Sequence, residues 1–177
     1  MAQYKKRDVM LDTNSLIREK LRAFRMIHFM MLMGSFTYGV VIVFIHTYAP
    51  IPPTINDAST LATLTYGIFV YALIAVGVVR YLRQKLLSSD QIFKKNEAAQ
   101  KLDQPSFFSN YLSTLFILWS LCEAITIGGI ILYLVGGELE IPLILISFGI
   151  FLKLMNGPKF EELTALEKRY ASIEIQG

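Results

Sequence analysis

Apolar residues fall in four blocks along the chain, set apart by polar segments. Three of them, 26–45, 58–79 and 111–135, meet the length of roughly 18 or more residues that a ~30 Å hydrocarbon core asks of a helix. The fourth, 141–155, is shorter. About fifteen helical residues cover only ~22 Å at 1.5 Å per residue, so this block is expected to thin the bilayer or to let Lys153 snorkel to the interface. The pattern predicts an all-α integral membrane protein with four transmembrane helices in 26–155, a segment 1–25 before them, a polar loop 80–106 and a tail 156–177.

Composition agrees with this class. Of the 177 residues 54% are hydrophobic and only 18% charged, too little polar cover for a soluble domain of this size. The placement of the 17 Lys and Arg residues is one-sided. Seven precede the first span, six lie between the second and third, and four run from Lys153 onward. The connections "HTYAPIPPTINDAST" and "GGELE" hold none. Cations near span ends are retained in the cytoplasm, so both termini are expected there, in a plasma or inner membrane. A re-entrant fourth segment would put four cations outside. The first 25 residues lack a short apolar region and a small-residue cleavage site, so the first span is expected to remain as an anchor.

The polar segments have their own periodicity. In "TNSLIREKLRAFRM", Asn14 or Ser15 can cap a helix with Leu16, Ile17, Leu21 and Phe24 on one face. With a basic opposite face, this segment has two readings: a positive flank that only fixes topology, and a helix that lies on an anionic cytoplasmic leaflet before turning into the first span. The loop 80–106 is expected to hold a short polar helix through Gln100, and Pro105 suits the first turn of the third span. Gly136 and Gly137 allow a tight reversal. "NGP" at 156–158 is a helix stop, with Asn or Gly able to take a left-handed cap. Beyond it Phe160, Leu163, Leu166 and Tyr170 recur at helical spacing, a face expected to pack on the inner loop or on a partner. Tyr48 and Tyr111 fit interfacial belts.

Inside "LWSLCEAITIGGIILYLVGG" the third span carries a single acid, Glu123. A lone charge at that depth costs at least about 2.5 kcal/mol, so its carboxyl must be protonated, paired or open to water. Arg25, His28 and His46 lie near span ends, which leaves hydroxyls as the expected partners: Ser120, Thr126, Tyr38, Tyr66 and Tyr71. An offset of 89 aligns "LMGSFTYGVVIVFI" with "LCEAITIGGIILYL" and places Ser35 and Gly39 on Ala124 and Gly128. These small pairs are expected to be helix-packing sites, in an architecture of two duplicated helical hairpins. Two roles for Glu123 stand side by side: a carboxyl exchanging a proton or sodium ion, and a packing device held by interhelical hydrogen bonds of ~0.6–2 kcal/mol each.

The stretch "LCEAITIGGIILYL" resembles the carboxylate helix of the rotary ATPase proteolipid, the c subunit. The resemblance covers about fourteen residues and implies that Glu123 is an ion-binding carboxyl. It carries over no other residue, because the second span has only Gly67 and Gly77 among bulky Tyr66, Phe69 and Tyr71, where the proteolipid has a ladder of glycines.

Other chemistries find no footing. His28 and His46 stand near opposite ends of the first span, so haem ligation would need a second chain. The one cysteine, Cys122, has no histidine near it in sequence. No metal-ligand pair, phosphate-cradling loop or nucleophile elbow is present, so neither enzyme activity nor a metal, cofactor or nucleic-acid partner is expected. The expected role is a non-enzymatic subunit or scaffold of a larger membrane complex, partnered by lipid, anionic lipid at the basic face, and other membrane subunits or copies of itself. The alternative is a proton- or sodium-coupled proteolipid or carrier using Glu123.

Overall fold

A computed structural model describes residues 2–55, 57–88, 90–93 and 105–174, with side chains from Ser15 to Ser172 except at 90 and 91. The described residues form five α-helices and one short 3-10 turn, with no strand: α1 Ala2–Tyr48, α2 Ala58–Ser88, the turn Asp90–Phe93, α3 Ser106–Gly136, α4 Glu140–Met155 and α5 Phe160–Glu174. By length and composition α1, α2 and α3 can each cross a membrane, and the count reaches four when α4 and α5 are taken together as one broken span. The polar helix expected through Gln100 lies outside the described residues. Contacts divide the chain into two compact units.

The apolar unit comprises Met30–Gln84 and Phe116–Asn156. Its helices run up and down, because the two short connections meet at one end: the Thr54 and Ile55 amides both donate to the Val135 carbonyl, at 2.9 and 3.0 Å. Gly137 makes the reversal from α3 to α4 with φ +71°, a conformation open to glycine at little cost. At the start of α2, Asp57 accepts hydrogen bonds from the Ser59 and Thr60 amides, at 3.3 and 3.0 Å, the N-cap arrangement. Hydrogen bonds from the Thr60 hydroxyl above all, then from the Ser59 hydroxyl and the two amides, bring this exposed carboxyl down to about 2.

The α3/α4 hairpin is the centre of this unit. Half of the most apolar stretch of α3 is buried, against 17% for α1 and α2. On one side Ala72, Ala75 and Val79 of α2 pack on Leu118, Cys122, Ile125 and Leu132 of α3 with Leu145 and Leu152 of α4. On the other, Ile42 of α1 joins Tyr133 and Ile146. The remaining faces of α1 and α2 stay apolar and open, with Phe36, Phe44, Tyr66 and Leu73 all more than half exposed. That is the surface expected of helices solvated by lipid.

The hairpin crossing is tight because it lacks side chains where the backbones meet. A methyl group on Gly149 would run into the Thr126 hydroxyl and the Cys122 carbonyl oxygen, and one on Gly129 would stand 2.8 Å from the Pro142 carbonyl oxygen. Beyond Gly149 α4 ends at Asn156, whose amide donates back to Leu152 and Lys153. Asn156 has φ −104°, and Gly157 is also outside the left-handed region, so the expected left-handed cap does not form. The side chain does the capping instead: Asn156 Nδ2 donates to the Leu152 carbonyl at 2.8 Å, and Trp119 Nε1 donates to the Asn156 carbonyl at 3.0 Å.

The second unit gathers the described residues of 1–29, 85–115 and 157–177. Here α1 runs unbroken through Asn14 and Ser15, so neither residue caps a helix. Ile17, Leu21 and Phe24 are buried. Phe24 stacks on Tyr111 with ring centroids 5.9 Å apart, so this apolar face is covered by protein where the leaflet reading put lipid. Tyr111 is fully buried and not interfacial; its hydroxyl donates to Glu162 at 2.9 Å and accepts from the Lys159 amide at 3.1 Å. Phe93, Phe107 and Tyr170 form an aromatic cluster under α5, and Arg169 lies over the Phe93 ring while donating to the last carbonyls of α2, Leu87 and Ser88.

Candidate functional site: a buried acid and base among the helices

Three polar side chains meet inside the apolar unit: Ser35 from α1, Glu123 from α3 and Lys153 from α4. Each stands thirteen residues from the connector end of its helix, at Tyr48, Gly136 and Glu140 respectively, or about 20 Å at 1.5 Å per residue. The Lys153 ammonium forms an ion pair with Glu123 Oε2 and donates to Ser35 Oγ. Ser35 Oγ lies 2.9 Å from Glu123 Oε2 and 3.1 Å from the Met31 carbonyl. With a single proton it donates to one of them at a time.

Burial is unequal across the group. Ser35 and Lys153 are fully enclosed, whereas the Glu123 side chain keeps 22% of its surface. The lysine is thus locked inside the helices, and the carboxylate forms the outer edge of the cluster. Opposite charges in contact leave no net charge at this depth, which removes most of the cost a lone acid would carry.

Lys153 therefore does not reach the interface. The expectation that it snorkels fails because Lys153 lies on the inward face of α4: Leu152 and Lys153 are buried, whereas Phe151, Leu154 and Met155 on the outward face are more than half exposed. The hydroxyls expected around Glu123 lie elsewhere. Tyr38, Tyr66 and Tyr71 are exposed, at 42, 71 and 39%, and Ser120 is exposed one turn back on α3. Thr126 is buried, but its hydroxyl turns to the crossing with Gly149 and finds no hydrogen-bond partner. Ser35, singled out for packing, is the hydroxyl that meets the carboxylate.

The other packing residues divide between the neighbours of the central hairpin. A Cβ on Gly39 would meet Ile146 of α4 at 3.6 Å, and one on Gly128 would meet Ile68 of α2 at 3.0 Å. Ala124 is half-buried. The stripe that carries the α3/α4 crossing is a different one, formed by Cys122, Thr126 and Gly129. Comparison of the chain with protein-family models, with curated proteins and with solved structures finds no match.

Proposed function

We propose that this chain is a four-span protein of the plasma or inner membrane, with both termini cytoplasmic, and that it serves without enzymatic activity as a small subunit or scaffold of a larger membrane assembly. The carrying observation is the closed ion pair: Glu123 is neutralised by Lys153 from the neighbouring helix, which gives the acid a structural task in fixing α1, α3 and α4 against one another. The topology is supported by the meeting of the two cation-free connections at one end. It is supported as well by α4, which runs beside α2 until Arg83 Nη1 donates to Asn156 Oδ1 at 3.1 Å. Room for a companion is available where Gly34, Gly67 and Gly77 have no neighbour in contact reach, since small residues let a second helix approach closely. Purification in mild detergent at native expression level tests the reading: a fixed set of companion chains supports it, and a chain that elutes alone in every mild detergent refutes it.

A second reading has a specific observation behind it. Proton or sodium coupling needs a second ionisable group near the carboxyl, and Lys153 is one, with Glu123 partly open beside it. The likeness of "LCEAITIGGIILYL" to the proteolipid helix belongs to this reading. Purified protein in liposomes that dissipates a proton or sodium gradient, and loses this activity as Glu123→Gln, would favour it over the first.

A further inference from the structure

The first half of α1 has its apolar face inside the protein, and a different face is left for the membrane. Ile17, Leu21 and Phe24 are buried, whereas Arg18, Arg22 and Arg25 are exposed. At 100° per residue these three arginines and Phe29 fall within about 60° of one another around the helix. Phe29 and the adjacent Met26 are 61 and 60% exposed. One unbroken stripe of the same helix therefore changes from three guanidinium groups to large apolar side chains within a single turn. Such a change marks the level at which a helix passes from headgroups into hydrocarbon.

We propose that Arg18, Arg22 and Arg25 form a docking ladder for anionic phospholipid headgroups beside the point where α1 enters the membrane. The partner follows from charge and position. The apolar side chains that continue the stripe are solvated by acyl chains, so the groups next to the ladder are the phosphates of those same lipids. Each cation beside the anionic surface attracts these headgroups through its charge, whether it is carried by Arg or Lys. Glu19, exposed beside Arg18, lies about 100° round the helix from Arg18 and about 60° from Arg22, so it borders the ladder on one side and leaves the stripe itself with three cations and no acid. The proposal rests on the reading of α1 from Met26 onward as membrane-embedded.

The test uses the full chain reconstituted in phosphatidylcholine vesicles, with spin-labelled phosphatidylglycerol and phosphatidylcholine as probes of the lipid held at the protein surface. The wild type should prefer the anionic probe, by up to about five-fold per arginine at low salt, and the preference should shrink as salt screens it. R18Q/R22Q/R25Q should lose the preference, R18K/R22K/R25K should keep most of it, and K159Q/K168Q, which removes exposed cations just before and within α5, should leave it unchanged. Inorganic phosphate at the same concentration as the anionic lipid should not compete, because the ladder recognises headgroups presented by a bilayer. Equal preference in the wild type and R18Q/R22Q/R25Q, equal loss in K159Q/K168Q, loss in the lysine variant, or competition by phosphate would each overturn the ladder. A chain that fails to enter vesicles at all would overturn the membrane reading with it; one that enters normally and shows no preference overturns the ladder alone.

Discussion

Lys153 faces Glu123 across the α3/α4 hairpin, and the tight turn at Gly137 sets that register. From the turn outward, Gly129 meets Ile146, Thr126 meets Gly149, and Glu123 meets Lys153. Each step moves three residues along α3 and three, then four, along α4, about one helical turn. The acid and the base are thus brought together by the same close backbone approach that packs the hairpin, and disturbing the crossing should disturb the pair.

Gly149→Ala tests this coupling between packing and charge. The added methyl would press on the Thr126 hydroxyl and on two backbone atoms of α3, the Cys122 carbonyl oxygen at 3.0 Å and the Thr126 amide nitrogen at 3.2 Å, which cannot rotate clear. Overpacking of this kind costs about 1–3 kcal/mol. Thermal unfolding in detergent should show the loss, and Gly67→Ala, at a position with open space around it, should show none. Equal stability for the two variants would mean that α3 and α4 do not approach as described.

In the other unit, the Tyr111 hydroxyl gives Glu162 a donor and the Lys159 amide an acceptor at the start of α5. Tyr111→Phe keeps the ring against Phe24 and deletes both bonds. A loss of about 1–3 kcal/mol is expected, together with faster amide exchange at Lys159. Unchanged exchange there would show that α5 is anchored without this hydroxyl.

Glu123 stood out in the sequence because an acid within an apolar run is visible without any structure, and the helices followed from run length. Its partner was harder to see. Lys153 lies three residues before the stop at Asn156, where a lysine ordinarily reaches for the interface. What places it inside is the shortness of α4: its sixteen residues end while α3 continues past Glu123 for another four turns or so. Counting from the turn would have found the pair, since Glu123 and Lys153 are equally far from it. What covers the apolar face of the helix at 15–25 was out of reach for a related reason. Periodicity showed one apolar face, but which surface covers that face depends on Tyr111 and its neighbours, far away in the chain.

The N-cap of α2 should reveal itself by titration. Asp57, held at about 2 in the folded protein against an ordinary value of 3.8, binds its proton more weakly folded than unfolded. Its contribution is therefore fully present above pH 3.8 and is lost as pH falls through about 2. The carboxyl carbon shift of labelled Asp57 should titrate near 2, and Ser59→Ala/Thr60→Val should move the midpoint up toward 3.8. A midpoint near 3.8 in the wild type would remove the cap.

The ion pair itself separates the two functional readings. Lys153→Met strands a partly buried carboxylate with Ser35 as its remaining neighbour, and removing one partner of a buried pair costs about 3–5 kcal/mol; the open edge of Glu123 places the expected loss at the lower end. Glu123→Gln strands the fully enclosed ammonium instead and should cost at least as much. Combining Lys153→Met with Glu123→Gln leaves no charge behind, so the double variant should recover most of the stability lost by either single change, a coupling that a double-mutant cycle measures directly. Acidification should rescue Lys153→Met, because a protonated Glu123 carries no charge to strand, and it should do nothing for Glu123→Gln. If the pair is a structural fixture, the double variant recovers assembly with companion subunits along with its stability. If it exchanges ions, the double variant regains stability but stays inert in liposomes. Single variants as stable as the wild type, with no coupling between them, would mean that the two side chains do not meet in the membrane, and both readings of the site would fall together.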